Sequence, residues 1–234
     1  GDFDKAMEII RAKGKAVAAK RSDREAAEGC VLADHATGFA AIVSLQCETD
    51  FVAKNEGHIQ LTKDILNVAM AKQPENKEAL LALALADGRT VADHITDRTG
   101  TTGEKMELGA YEFVKAEHTI SYIHPGNKLA VVAAFNEAVD QEMARMTAMQ
   151  IASMNPLYVS EADIPEAAYN EKAAEFEANF KGPENMKDQI IEGQIKKAFA
   201  DKVLMLQPYI LDDSKTVAEF IKEMIAKTGE NITI

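Results

Sequence analysis

Two side chains of unlike character stand next to each other at Asp50-Phe51, inside the run Cys47-Glu48-Thr49-Asp50-Phe51-Val52-Ala53-Lys54-Asn55. An exposed pair of this kind at the start of a helix can work on a partner: the ring wedges into a pocket, and the carboxylate disturbs a cation or phosphate site there. The plainer reading is local, with Thr49 or Asp50 capping the helix that follows and Phe51 serving as its first core residue. Exposure separates the two, because only a solvent-facing Phe51 is free to meet a partner.

Other chemistry is absent at the level of motifs. There is no G-x-x-x-x-G-K-[ST] loop, no G-x-G-x-x-G after a strand, no H-E-x-x-H and no C-x-x-C. His35, His58, His94, His118 and His124 are scattered without ligand spacing on one helix. Cys30 and Cys47 are too few for a disulfide framework and read as reduced, half-buried thiols. No catalytic residue, metal or cofactor is expected, although a triad assembled in space leaves no sequence signature.

The balance of charge bears on partners. With 38 acidic against 26 basic residues and a net charge of -12, the chain has no general affinity for phosphate backbones, so a protein partner is expected and no direct nucleic acid. The basic island from Arg11 to Arg21 reads as a solvated helix face and linker. No apolar run approaches the ~20 residues of a membrane span and no signal-like segment opens the chain, which points to the cytoplasm.

These residues need elements to position them, and the pattern over 234 residues is α+β. Helical spacing runs from Asp4 to about Arg21, with Asp2 or Asp4 as cap, and a charged linker follows from Ser22 to Gly29. Cys30 to Ala36 and Phe39 to Cys47 read as a hairpin turning at Thr37-Gly38. One helix is expected from Phe51 to about Lys72, ahead of Pro74, then others at Lys77 to Ala86 and Thr90 to Arg98, the last stopped by Gly100 and Gly103. Met106 to Ala116, Thr119 to Ile123 and Leu129 to Phe135 read as strands, with His124-Pro125-Gly126-Asn127 as a turn and the uncharged last strand placed centrally.

The remaining chain is mostly helical. Asp140 to Met154 carries a methionine stripe that reads as core. Ile164 to Phe180 and Glu184 to Leu204, broken at Gly182-Pro183, make an antiparallel helical hairpin. A last helix is expected from Ser214, as cap, to Lys227, with Ile232-Thr233-Ile234 closing the chain.

An internal repeat organises these elements. Thr90-Val91-Ala92-Asp93 matches Thr216-Val217-Ala218-Glu219, and without a gap Thr102-Gly103-Glu104 then falls on Thr228-Gly229-Glu230. Each copy reads as helix, glycine stop and strand. Ala41-Ile42-Val43 can also be laid on Ala130-Val131-Val132. The first match spans 126 residues and the second 89, so the second half holds an insertion of about 37, for which the helical hairpin is the candidate. Two related subdomains of small antiparallel sheet plus helices follow.

The run from Gly29 to Asn55, with Gln46-Cys47-Glu48-Thr49-Asp50-Phe51-Val52-Ala53-Lys54, resembles translation elongation factor Ts. So do Tyr122-Ile123-His124-Pro125-Gly126, Ile191-Glu192-Gly193-Gln194-Ile195-Lys196-Lys197, and Gln207-Pro208-Tyr209 with Ser214-Lys215-Thr216-Val217. The resemblance implies a guanine-nucleotide exchange factor without catalytic chemistry of its own. It would bind elongation factor Tu, GDP-bound and nucleotide-free, through Thr49, Asp50, Phe51 and Val52, with Asp50 and Phe51 disturbing the partner's Mg²⁺ and phosphate surroundings so that GDP leaves.

It further implies contacts at Thr102, Gly103 and His124, and makes the helical hairpin a coiled-coil arm that some members use to form a homodimer or to touch the partner. The implied division is 1–28, the last helix of an N-terminal module resembling a ubiquitin-associated domain plus a linker; 29–116, a first core subdomain; 117–162 with 205–234, a second; and 163–204, the inserted arm. Only the last helix of that N-terminal module, from Asp4 to about Lys13, is expected here, and the family continues the strand in which the chain stops, so weaker exchange than that of a longer chain is expected.

Overall fold

A computed structural model describes residues 2–21, 23–229 and 231–234, and of residue 4 the backbone alone. The expectations for the Asp4 side chain, Ser22 and Glu230 lie outside the described residues. The fold is α+β, and its contacts divide the chain into two compact units, Gly1–Ala148 and Met149–Ile234.

The first unit opens on α1 (Phe3–Lys20), capped by Asp2, whose carboxylate accepts the Lys5 amide. β1 (Glu28–Ala36) and β2 (Phe39–Cys47) then form the expected hairpin, turning through Gly38 at φ 89°. Only glycine takes such a φ without strain. In β2 the alternation places Phe39, Ala41, Val43, Leu45 and Cys47 on one buried face.

The chain next makes α2 (Asp50–Ala53), α3 (Glu56–Lys72), α4 (Lys77–Ala82) and α5 (Val91–Thr102) before β3 (Met106–Val114) returns to pair with β2, in the order β1-β2-β3. Leu61, Ile65, Leu66 and Ala69 of α3, Leu80 of α4, and Val91 and Ile95 of α5 share a core with the β2 face. The sheet is antiparallel throughout, so one face can be sealed by helices while alternate residues point away.

Several expectations change. The single helix from Phe51 to Lys72 is two, because Asn55 leaves helical geometry and its side chain accepts the Gly57 amide, capping α3 afresh. Gly100 does not stop α5. It lies inside, where a Cβ would stand 2.3 Å from the Ile10 carbonyl oxygen and 2.9 Å from the Gly14 amide nitrogen, so it lets α1 and α5 touch backbone to backbone. Gly103, at φ 75°, is the C-cap. α4 also ends early: Leu83 is extended, and Ala84 bridges Thr90.

β4 (His118–Ile123) and β5 (Ala130–Phe135) form a two-stranded sheet, so the uncharged last strand is not central as expected. Its small and β-branched residues are half-buried in alternation because the hairpin packs on β1, where the Val31 amide donates to the Asn127 carbonyl at 2.7 Å and Thr119 Oγ1 to the Ala36 carbonyl at 2.9 Å. α6 (Gln141–Met154) buries Met143, while Met146 and Met149 are half-buried.

In the second unit α7 (Glu166–Ala178) and α8 (Lys187–Phe199) share a cluster of Ile191, Ile195, Phe199 and Val203 with Ala168, Ala173, Phe176 and Phe180 against it. Met186 is exposed in the connection rather than packed in the helix expected from Glu184. β6 (Pro208–Tyr209) and β7 (Asp212–Thr216) precede α9 (Val217–Thr228). Its cap is Thr216 rather than Ser214, since Thr216 and Glu219 close a capping box.

The same box joins Thr90 to Asp93 in α5, and Gly229 at φ 78° ends α9 as Gly103 ends α5. The repeat therefore holds in cap chemistry at both ends of both helices. The strand expected after the second copy is absent among the described residues 231–234, although Ile232 is buried.

Gly100→Ala sets a helix-propensity gain of about 1 kcal/mol against a backbone clash. The clash wins, because neither Ile10 nor Gly14 can yield without moving α1. A net loss of about 1–3 kcal/mol is expected in chemical denaturation.

Candidate functional site

α2 is a single turn, too short to persist by its own hydrogen bonds. Its orientation follows from what it buries: Ala53 is inside and Val52 packs on the core of the first unit, which turns Asp50 and Phe51 outward. Phe51 is 84 % exposed, the most exposed large apolar side chain described. An aromatic left in water at that level contributes nothing to folding by burial.

Thr49 does cap the turn. Its Oγ1 accepts the Val52 amide at 3.4 Å and its carbonyl the Ala53 amide at 3.1 Å. The local and the outward readings of the motif thus coexist, with Thr49 capping and Phe51 exposed.

Around the cap, four neighbours hold the backbone. Glu104 accepts both the Thr49 amide (3.1 Å) and the Thr49 hydroxyl (2.6 Å). Glu48 accepts the Lys105 amide at 2.7 Å and Arg21 Nη1 at 2.6 Å, which together hold its carboxyl below the usual carboxylate range. The Cys47 thiol donates to the Thr49 carbonyl at 3.3 Å, and burial pushes its pKa up to about 11, so it is a packed thiol rather than a nucleophile. Behind the corner, Arg98 of α5 donates to Asn55 Oδ1, tying down the break between α2 and α3.

Asp50 pairs with Lys54 at 2.7 Å, one turn along, and this hydrogen bond lowers its pKa. The charge of Lys128 acts on Asp50 in the same direction. Lys128 is itself held by Glu28 at 2.7 Å, and it follows the turn that carries His124. His124 is exposed, its Nδ1 3.1 Å from the Tyr122 hydroxyl. The 102–104 turn thus reaches α2 through Glu104, and the 124–128 turn reaches it through the charge of Lys128.

Sequence reasoning did not single out Glu104, Glu48, Arg21, Arg98 or Lys128 for the site. Glu104 lies 55 residues from Thr49, and no local pattern marks a pair so separated. The one signal was the T-G-E turn of the repeat.

Among the described residues no group of acidic, histidine or cysteine side chains could hold a metal ion, and no helix is long and apolar enough to cross a membrane. His58 is fully buried, its Nε2 3.0 Å from the Leu45 carbonyl.

Fold and site together define an α+β protein that presents an acidic and aromatic corner on a braced helical turn. A family model described as elongation factor TS matches residues 48–234. Curated relatives called elongation factor Ts include one from Porphyromonas gingivalis, 58% identical over 223 residues that cover 94% of this chain and 81% of the relative. Another, from Azobacteroides pseudotrichonymphae, is 46% identical over 95% of this chain and 82% of its own length. A third, from Phocaeicola vulgatus, is 45% identical over 99% of this chain and 70% of its own. The chain belongs to the elongation factor Ts family.

Burial lowers the pKa of His58 below 6.5. As pH falls past about 6.5 the unfolded state takes up a proton that the folded state refuses, so stability present above that pH is lost below it. Denaturation midpoints at about pH 7.5 and about pH 5.5 should differ more for the parent protein than for His58→Gln.

Proposed function

We propose that this chain is a guanine-nucleotide exchange factor that binds elongation factor Tu, GDP-bound and nucleotide-free, and promotes GDP release during translation elongation in the cytoplasm. Family membership supports the partner and the process. The observation that carries the mechanism is the exposure of Phe51, braced beside Asp50 on a turn it does nothing to stabilise. Phe51 is the wedge, Asp50 disturbs the Mg²⁺ and phosphate surroundings, Thr49 and Val52 seat the turn, and Thr102, Gly103 and His124 supply further contacts.

The energetics are those of linkage. A factor that holds the nucleotide-free partner more tightly than the GDP-bound one lowers GDP affinity by the same ratio. No bond is made or broken by the factor, so it needs no nucleophile, metal or cofactor. Lys54 gives Asp50 a cation to exchange for whatever the partner presents, at little cost for an exposed pair.

Within this reading, 29–116 and 117–162 with 205–234 are related core subdomains, 1–28 is a helix and linker from an N-terminal module, and 163–204 is an inserted arm. α7 buries none of its residues, and Tyr169 is exposed on it, which leaves the arm a free face for a partner or a second copy.

Release of a fluorescent GDP analogue from elongation factor Tu tests this. The unaltered protein should accelerate release, and Phe51→Ala and Asp50→Ala should each cut the acceleration about tenfold or more. No acceleration by the parent sinks the function, whereas acceleration undiminished in both variants sinks the mechanism alone.

A further inference from the structure

The geometry points to Glu104 as the positioning residue of the Asp50–Phe51 corner, acting through Thr49. The inference rests on the reading of that corner as the contact with elongation factor Tu, and adds to it the residue that sets its angle.

Glu104 takes the Thr49 amide on one carboxylate oxygen and the Thr49 hydroxyl on the other, at 3.1 and 2.6 Å. Thr49 Oγ1 donates its proton to Glu104 and is left as an acceptor for the Val52 amide. The short bond to a charged oxygen polarises the hydroxyl and makes it a better cap. A carboxylate on β3's approach thereby orders the first turn of α2 from outside the helix.

Glu48 makes the reverse connection, its carboxylate accepting the Lys105 amide. Residues 48–49 and 104–105 are therefore joined by two crossing carboxylate bridges, each side contributing one acid and one backbone amide. Two bridges fix direction where one would leave a hinge. Gly103 immediately precedes this joint, so the 102–103 turn is tied to the start of α2 through it.

Glu104 is only half-buried and belongs to no apolar cluster, so its removal is compatible with folding. Glu104→Ala should slow GDP release roughly tenfold, as expected for losing hydrogen bonds to a charged group. Amide hydrogen exchange at Ala53 and Lys54, the turn's own donors, should quicken in the same variant. Glu104→Gln retains an oxygen for the Thr49 amide but no charged acceptor for the Thr49 hydroxyl, and should recover part of the rate.

Because Glu104 acts through both residues of the corner, Glu104→Ala added to the variant carrying Asp50→Ala and Phe51→Ala should slow release no further. A normal rate in Glu104→Ala beside a slow Phe51→Ala overturns the inference and leaves the contact reading standing. So does a further loss when Glu104→Ala is added to the variant carrying Asp50→Ala and Phe51→Ala, or unchanged amide protection of α2. An undiminished rate in Phe51→Ala overturns the contact reading itself, and this inference with it.

Discussion

The joint between residues 48–49 and 104–105 is the constraint on which the exposed corner depends. A four-residue helical turn has too few hydrogen bonds to repay its own ordering, and Phe51 adds no burial to help. Order must be imported. It comes from Val52 and Ala53 pressed on the core, from Glu104 on the Thr49 cap, and from Glu48 held by Lys105 and Arg21. The acids here are not a repulsive cluster, because each faces a backbone amide.

Rigidity behind the corner has its own source. α5 carries Arg98 to Asn55 and ends at the Gly103 cap from which Glu104 departs. α5 is in turn seated on α1 through the Gly14 and Gly100 backbones, and α1 delivers Arg21 to Glu48. The corner is thus braced by two helices that touch at glycine, where a side chain would force them apart. An isolated substitution at that crossing is felt at the site only through this chain of contacts, which is why its first effect is on stability.

Legibility in the sequence followed the range of the interaction. The hairpin expected from Cys30 to Cys47 read correctly but for its start at Glu28, because alternation and a Gly38 turn are local signals. The helix and glycine stop of the repeat also read correctly, though not the strand expected after its second copy: Thr90 with Asp93 and Thr216 with Glu219 make the same capping box, and Gly103 and Gly229 the same left-handed stop. Errors gathered where a local rule met a tertiary demand. Gly100 looked like a stop and is a contact point, Asn55 interrupts a periodic helix to cap a new one, and β5 read as central from composition yet has a single partner strand.

By itself the sequence determined the class α+β, the family, and the nature of the residues at 49–52, since residue type, spacing and cap chemistry act over a few positions. It left open whether Phe51 faces solvent or core, because a cap motif is compatible with both. Only the tertiary structure decided that, by burying Val52 and Ala53 and so rotating Asp50 and Phe51 outward. It alone also joined Thr49 to Glu104 and Glu28 to Lys128, pairings 55 and 100 residues apart in the chain, which exist only once β3 and the β4–β5 hairpin have folded back onto the first two strands.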